Sequence, residues 1–430
     1  MAEENNTPAL TTLFDNIERI FMRIIKVILS IGFLLCFSSS FAQFSNMIVF
    51  GDSLSDNGNF PESSRIWKNP TAAKKINNTF AQFYVPFSNP VDTSKKQFSV
   101  PIFKNRFFLW PTLNNLYLAK QVPIEPTFSA RQFRSISWSH LFLSMAFQDQ
   151  LTRSSHVSPS DLIYARKIPN YFSFNYAWGY ATSSQDCVNP FYVKIANCTA
   201  TSIIRSKQQY LADPTNKNYR RIEIPGIAKQ VALFIDDKNK NKVSVNQKTV
   251  YIFWIGGNDL IVANNALKNH YDPLPVLKFS FGITAWHTIQ AIHTLLKSLP
   301  ENQKPPVIYI FNLFNPALTP EFYQTTMGKL GNLCVCVYNF WLDVESTIFN
   351  LFSRTKTKVI PVYHWYQKSS KNDYFKKTMG KSCQLNNGDY ENAVVIPKNN
   401  CAGFMFWNAV HPAMPMNAIV AYQFLLKLKK

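Results

Sequence analysis

The chain alternates short, continuous apolar runs with longer segments of helical period, the pattern of buried strands separated by covering helices. Residues 46–50, Asn-Met-Ile-Val-Phe, run into Gly51-Asp52-Ser53 and read as a buried strand that ends in a turn. Residues 172–177, 249–255, 307–311 and 358–362 are rich in Val, Ile, Tyr and Phe between turn residues, and read the same way. Apolar positions three and four apart predict helices over 227–235, 277–299, 321–352 and, after Pro412 and Pro415, 416–428. Strands alternating with helices predict an α/β fold with a parallel sheet covered on both faces. Residues 61–170 break this rhythm with aromatic, proline-punctuated sequence carrying 14 Lys and Arg against 5 Asp and Glu. They are expected to form a long insertion after the first strand, over the rim where open sheets bind ligands: either a membrane-facing lid or a solvated flap without substrate contact.

Composition narrows the class. With 46% hydrophobic and 16% charged residues, the chain is neither a disordered tail nor a coiled coil. The formal charge of +20 favours anionic surfaces such as phospholipid. With no zinc-finger spacing, long basic run or RNA-binding aromatic motif, nucleic acid is not the expected partner.

From Met22 the sequence has two early positive charges, an apolar run over residues 27–37 and small residues up to Ala42, which reads as a cleaved signal peptide on a chain that truly starts at Met22. Residues 1–42 are therefore expected to leave, and 43–430 to form a single exported domain. A membrane anchor is the alternative, opposed by the polar residues from Ser38 onward. Removing Cys36 leaves six cysteines, an even number in an oxidising compartment. Proximity in sequence pairs Cys187 with Cys198 and Cys383 with Cys401. Cys334 and Cys336, on different faces of one helix, are expected to be unpaired and partly buried. No cysteine has metal-site spacing with histidine, so no metal is expected.

Three segments carry candidate chemistry. Ser53, in Phe50-Gly51-Asp52-Ser53-Leu54-Ser55-Asp56-Asn57-Gly58-Asn59, stands where a buried strand turns toward a helix N-terminus, so its hydroxyl is exposed near backbone N–H groups that could hold an oxyanion. Ordinary turns use the same residues. In Ile255-Gly256-Gly257-Asn258-Asp259, Gly256 and Gly257 let backbone approach a ligand and the Asn258 amide can donate to developing negative charge, although this is also a good turn and helix cap. Trp407-Asn408-Ala409-Val410-His411-Pro412 sets His411 just before the last helix, a context none of the other six histidines shares.

Together these segments resemble the GDSL lipases, also called SGNH hydrolases. Ser53 matches the family nucleophile, Asn258 the oxyanion donor and His411 the general base. Asn175-Tyr-Ala-Trp-Gly179-Tyr180-Ala-Thr182 is similar to the family segment whose second glycine gives an N–H to the oxyanion. Five of the 13 glycines fall in these segments. The sequence departs from the pattern twice, with Tyr180 for that glycine and Asn408 for the catalytic aspartate. The resemblance implies a flavodoxin-like three-layer α/β/α sandwich with a five-stranded parallel sheet and no cofactor. It implies a secreted serine esterase for lipid acyl esters, a phospholipase A or lysophospholipase with possible acyltransferase activity, in which Asn408 orients His411. A chloride beside His411 is expected to offset the missing carboxylate. The competing expectations are a catalytically impaired relative that binds lipid or envelope surfaces, and an esterase for acetylated sugars or aryl esters.

Overall fold

The computed structural model describes residues 46–56, 59, 137–139, 142, 156–157, 173–184, 186–189, 193–195, 198–212, 222–246, 248–268, 282–300, 306–383 and 403–428. All lie within one compact unit spanning residues 44–428. The signal-peptide segment, Cys36, Cys401 and most of 61–170 fall outside the described residues.

In chain order the strands are β1 (Asn46–Gly51), β2 (His156–Val157), β3 (Ser173–Asn175), β4 (Cys187–Val188), β5 (Lys194–Ile195), β6 (Ile224–Pro225), β7 (Thr249–Trp254), β8 (Val307–Phe311) and β9 (Lys356–Ile360). The α-helices are α1 (Ala200–Ala212), α2 (Ile227–Asn239), α3 (Gly257–Lys268), α4 (Thr284–Lys297), α5 (Thr326–Phe352), α6 (Val362–Ser370), α7 (Asp373–Lys376) and α8 (Met414–Leu428). The main sheet has the order β2-β3-β1-β7-β8-β9, with every pair parallel. Five strands make its body and the two-residue β2 adds an edge. A second, antiparallel sheet has the order β5-β4-β6, and a disulfide from Cys187 in β4 to Cys198 fastens it.

Each residue of β1 and β7 is buried, as the unbroken apolar runs predict for a sheet covered on both faces. Phe50 and Tyr251 meet Phe234 of α2 on one face. On the other face Tyr309 and Phe311 meet Phe424 of α8. Trp138, inside the segment expected to be an insertion, is fully buried against Trp254, Phe311 and Phe424, so part of that segment belongs to the core. Burying one such ring contributes roughly 1.5–3 kcal/mol.

Several boundaries differ from the sequence expectation; α2 runs on to Asn239 and α8 starts at Met414. β3 covers 173–175, not 172–177; the chain stays beside β1, with Tyr176 N donating to Val49 O and Trp178 N to Gly51 O, while the Asn175 side chain takes Ala177 N, and residue 172 lies outside the described part. β9 starts at Lys356 and stops at Ile360, not over 358–362, since Pro361 has no N–H to continue a ladder and Val362 opens α6. α5 starts at Thr326 rather than 321, capped by the Thr325 hydroxyl, which accepts from Gly328 N. Of the helix expected over 277–299, α4 occupies 284–297 and residues 277–281 lie outside the described part. Cys334 and Cys336 are free, but Cys336 is exposed rather than partly buried. Cys383 is disulfide-bonded, and its expected partner Cys401 lies outside the described residues. Among the described residues no helix is long and apolar enough to cross a membrane.

Candidate active site

β1 is flanked by β3 on one side and β7 on the other, so the chain leaves it in opposite directions and opens a crevice beyond the strands' carboxyl ends. Ser53 follows β1, Tyr180 follows β3, and Asn258 follows β7. All three line one pocket of about 470 Å³ with His411 and Asn408.

The β1 exit is held by backbone and buried polar groups. A side chain at residue 51 would put its Cβ 2.4 Å from Trp254 O, so only glycine lets β1 lie this close to β7. Gln230 of α2, wholly buried, clamps this glycine: its Oε1 accepts from Gly51 N at 2.9 Å and its Nε2 donates to Gly51 O at 2.8 Å. The chain then folds into a turn in which Ser55 N and Asp56 N both donate to Asp52 O, and Leu54 N donates to Asp52 Oδ1. Ser53 therefore sits on the hydrogen-bonded turn expected at the end of β1.

His411 Nε2 lies 2.8 Å from Ser53 Oγ, and His411 Nδ1 lies 3.2 Å from Asn408 Oδ1. Asn408 Oδ1 also accepts from Val410 N at 3.0 Å and His411 N at 2.8 Å. Those two backbone donors fix the amide, because turning it over would set its NH₂ against two N–H groups. With oxygen toward the ring, Nδ1 must carry the proton and Nε2 must present its lone pair to Ser53. Asn408 thus imposes the tautomer in which His411 can accept the serine proton. The loop is pinned at both ends, since Trp407 N donates to His411 O and Ala413 N to Met405 O. Burial pushes the imidazole down, to about 3; the ring reaches the pocket, where solvent tempers the shift without changing its direction.

The remaining expected site residues fall into two groups. Tyr180 and Asn258 border the pocket, and Asn258 Nδ2 donates to Ala181 O at 2.8 Å, which ties α3 to the turn after β3. Tyr180 has φ 64°, the left-handed value that glycine would adopt without strain, in a turn closed by Ala181 N to Trp178 O. Gly179 and Gly256 act as supports, not as pocket lining. Gly179 N is committed to Asp56 Oδ2 at 2.6 Å, and Gly256, at φ 115° beneath Tyr338, turns the chain into α3.

Three acids and one amide were not singled out by the sequence. Asp52 is fully buried and pushed up to about 7, chiefly by burial and further by the nearby Asp259; the N–H groups of Leu54 and Gly257 oppose the shift. Asp259, pushed up to about 6 by burial, accepts from Ser183 N and Ser183 Oγ. Asp56 holds Gly179, and Gln230 holds Gly51. The signal for the acids was present in their place within the two Asp-containing motifs, whereas Gln230 sits in a plain amphipathic helix 179 residues from its partner.

Much of the pocket wall is apolar: Leu260, Ile261, Leu313, Phe314, Phe322 and Val335 contribute. Such a wall suits a hydrocarbon chain ending at the Ser53 hydroxyl. Compared as a whole with models of known protein families and with curated proteins, the chain matches none.

Proposed function

We propose that the protein is a serine ester hydrolase of the GDSL, or SGNH, type that acts on acyl esters of lipids, and that its α/β core is the flavodoxin-like sandwich of that family. The observation that carries the reading is the Ser53–His411–Asn408 chain of hydrogen bonds, with its tautomer fixed, at one end of a largely apolar pocket. His411 Nε2 takes the proton of Ser53 as Oγ attacks the ester carbonyl. The oxyanion is received by the Asn258 amide with the N–H groups of Ser53 and Tyr180. His411 then gives the proton to the departing alcohol, and water resolves the acyl-serine by the same steps. A free lysophospholipid or a glycerol ester is the expected substrate class, because the wall would bury an acyl chain while acetylated sugars would leave it empty. Export through the segment before Gln43 and an oxidising destination complete the reading, supported by the Cys187–Cys198 bridge.

Hydrolysis of a series of soluble aryl esters, from acetyl to long acyl, tests it. Activity should rise with chain length and vanish in Ser53→Ala and His411→Ala. Activity that survives Ser53→Ala, or folded wild-type protein without activity on any ester, would remove the catalytic reading and leave a lipid-binding relative.

A further inference from the structure

α5 packs one face on the sheet through the buried Val335, Tyr338 and Leu342. Its outer face is apolar as well. Leu333, Phe340, Trp341, Ile348, Leu351 and Phe352 recur at helical spacing and stand open to solvent, with Phe340 60%, Leu351 74% and Phe352 87% exposed. Isolated exposed apolar residues need no explanation, but a stripe along a helix of 27 residues does. Where α5 ends, the charge changes. Arg354 and Lys356, both exposed, stand there, and Lys356 Nζ donates to Asn350 O in the last turn of the helix. Lys356 opens β9, the edge strand, between the buried Thr355 and Thr357. The two acids of α5 flank the stripe, and burial raises both the Asp343 and the Glu345 carboxyl, the latter to about 7.

The geometry points to a docking surface for an anionic phospholipid bilayer, made of the outer stripe of α5 and the basic residues that follow it. Apolar and aromatic side chains on one helix face beside a cluster of lysines are what interfacial helices use, the rings entering the headgroup region while the cations meet lipid phosphates. A second copy of the chain is the less suitable occupant, because two molecules of formal charge +20 would bring like-charged patches together. The first turns of the same helix supply Met327, Gly331 and Val335 to the pocket wall, so one element belongs to both the docking face and the candidate acyl site. The surface does not rest on the esterase reading, and Ser53→Ala should bind vesicles as the wild type does.

The test combines oxidative footprinting with vesicle sedimentation, using the full chain and vesicles of phosphatidylcholine with or without phosphatidylglycerol. Peptides holding Phe340-Trp341 and Leu351-Phe352 should be protected by the anionic vesicles and much less by the neutral ones. The triple variant Phe340→Ser, Leu351→Ser, Phe352→Ser should partition about tenfold or more weakly, and Arg354→Gln with Lys356→Gln should lose part of the preference for anionic lipid. Hydrolysis of a soluble ester should be unchanged in both. Peptides that stay open to oxidation on bound vesicles, or a folded triple variant that binds like wild type, would overturn the proposal. Protection that grows with protein concentration in the absence of lipid would overturn it in favour of a second copy; the footprint on wild-type protein decides even if the triple variant does not fold.

Discussion

Asn408 shows how one side chain can do part of the work of a carboxylate. Its oxygen is aimed by Val410 N and His411 N, so it fixes the imidazole tautomer, but it brings no charge to offset the imidazolium that forms when Ser53 is deprotonated. Two outcomes follow for Asn408→Asp. The acid limb of kcat/KM, which reports neutral His411 in the free enzyme, should lie below the ordinary histidine value in wild type and move up in the variant, because a carboxylate at Nδ1 favours the charged ring. Turnover should also rise, by less than the roughly 10⁴-fold that the reverse exchange costs in serine proteases, since here the tautomer is already correct. An acid limb that does not move would mean that residue 408 is not electrostatically linked to the base. Asp52 makes a second case. Its folded-state value of about 7 lies above the model-compound 3.8, so the native state holds a proton that the unfolded chain releases, and stability falls as pH rises from about 4 to about 7. Asp52→Asn keeps the oxygen for Leu54 N and removes the titration. Its thermal midpoint should gain on wild type between pH 4 and pH 8, and a gain independent of pH would contradict the buried-acid account. Ser53, Asn258 and His411 were legible in the sequence because each stands in a short motif. The orientation of the Asn408 amide was not, because it depends on backbone N–H groups that point inward only once the 407–411 loop has closed.

At the scale of elements, two supports set the site. Gln230 links α2 to the exit of β1, and replacing it by leucine takes the partner from Gly51 N, while Gly51 O keeps Trp178 N. Gln230→Leu should cost about 1–3 kcal/mol in denaturant unfolding and lower kcat more than it changes KM, as Ser53 shifts. Unchanged kinetics in a destabilised variant would confine Gln230 to packing. The turn after β3 carries strain at Tyr180. Tyr180→Ala keeps the left-handed backbone and loses the ring, whereas Tyr180→Gly relieves the strain, so glycine should be better tolerated than alanine by about 1 kcal/mol. Equal stabilities would mean that the backbone relaxes on substitution. The strands of 46–51, 249–254 and 307–311 were legible because they are apolar throughout. β9 was misplaced by two residues because its Lys356-Thr357-Lys358 start alternates polar side chains on an edge, which resembles a loop until pairing with β8 fixes it. The core role of Trp138 was hidden in a segment whose prolines and charges resemble an insertion.

For the whole molecule, the distribution of charge matters more than its sum. The basic residues after α5 lie beside an apolar stripe, so lipid capture should weaken with salt while turnover of a soluble ester changes little, the screening length being about 10 Å at 0.1 M. Equal salt sensitivity for both would place the responsive charge in the active site. The apolar run over 27–37 and the small residues up to Ala42 read as a cleaved signal peptide. N-terminal sequencing of exported protein should therefore find a start near Gln43, and retention of residues 24–37 would contradict cleavage. The central claim is that Ser53, activated by His411 in the tautomer that Asn408 imposes, attacks an acyl ester. Its most direct test is peptide-resolved mass spectrometry of the native protein after reaction with a long-chain alkyl fluorophosphonate. The account predicts a single adduct on Ser53, lost in His411→Ala; a folded protein without that adduct, or an adduct at Ser53 that forms as fast in His411→Ala, would contradict it.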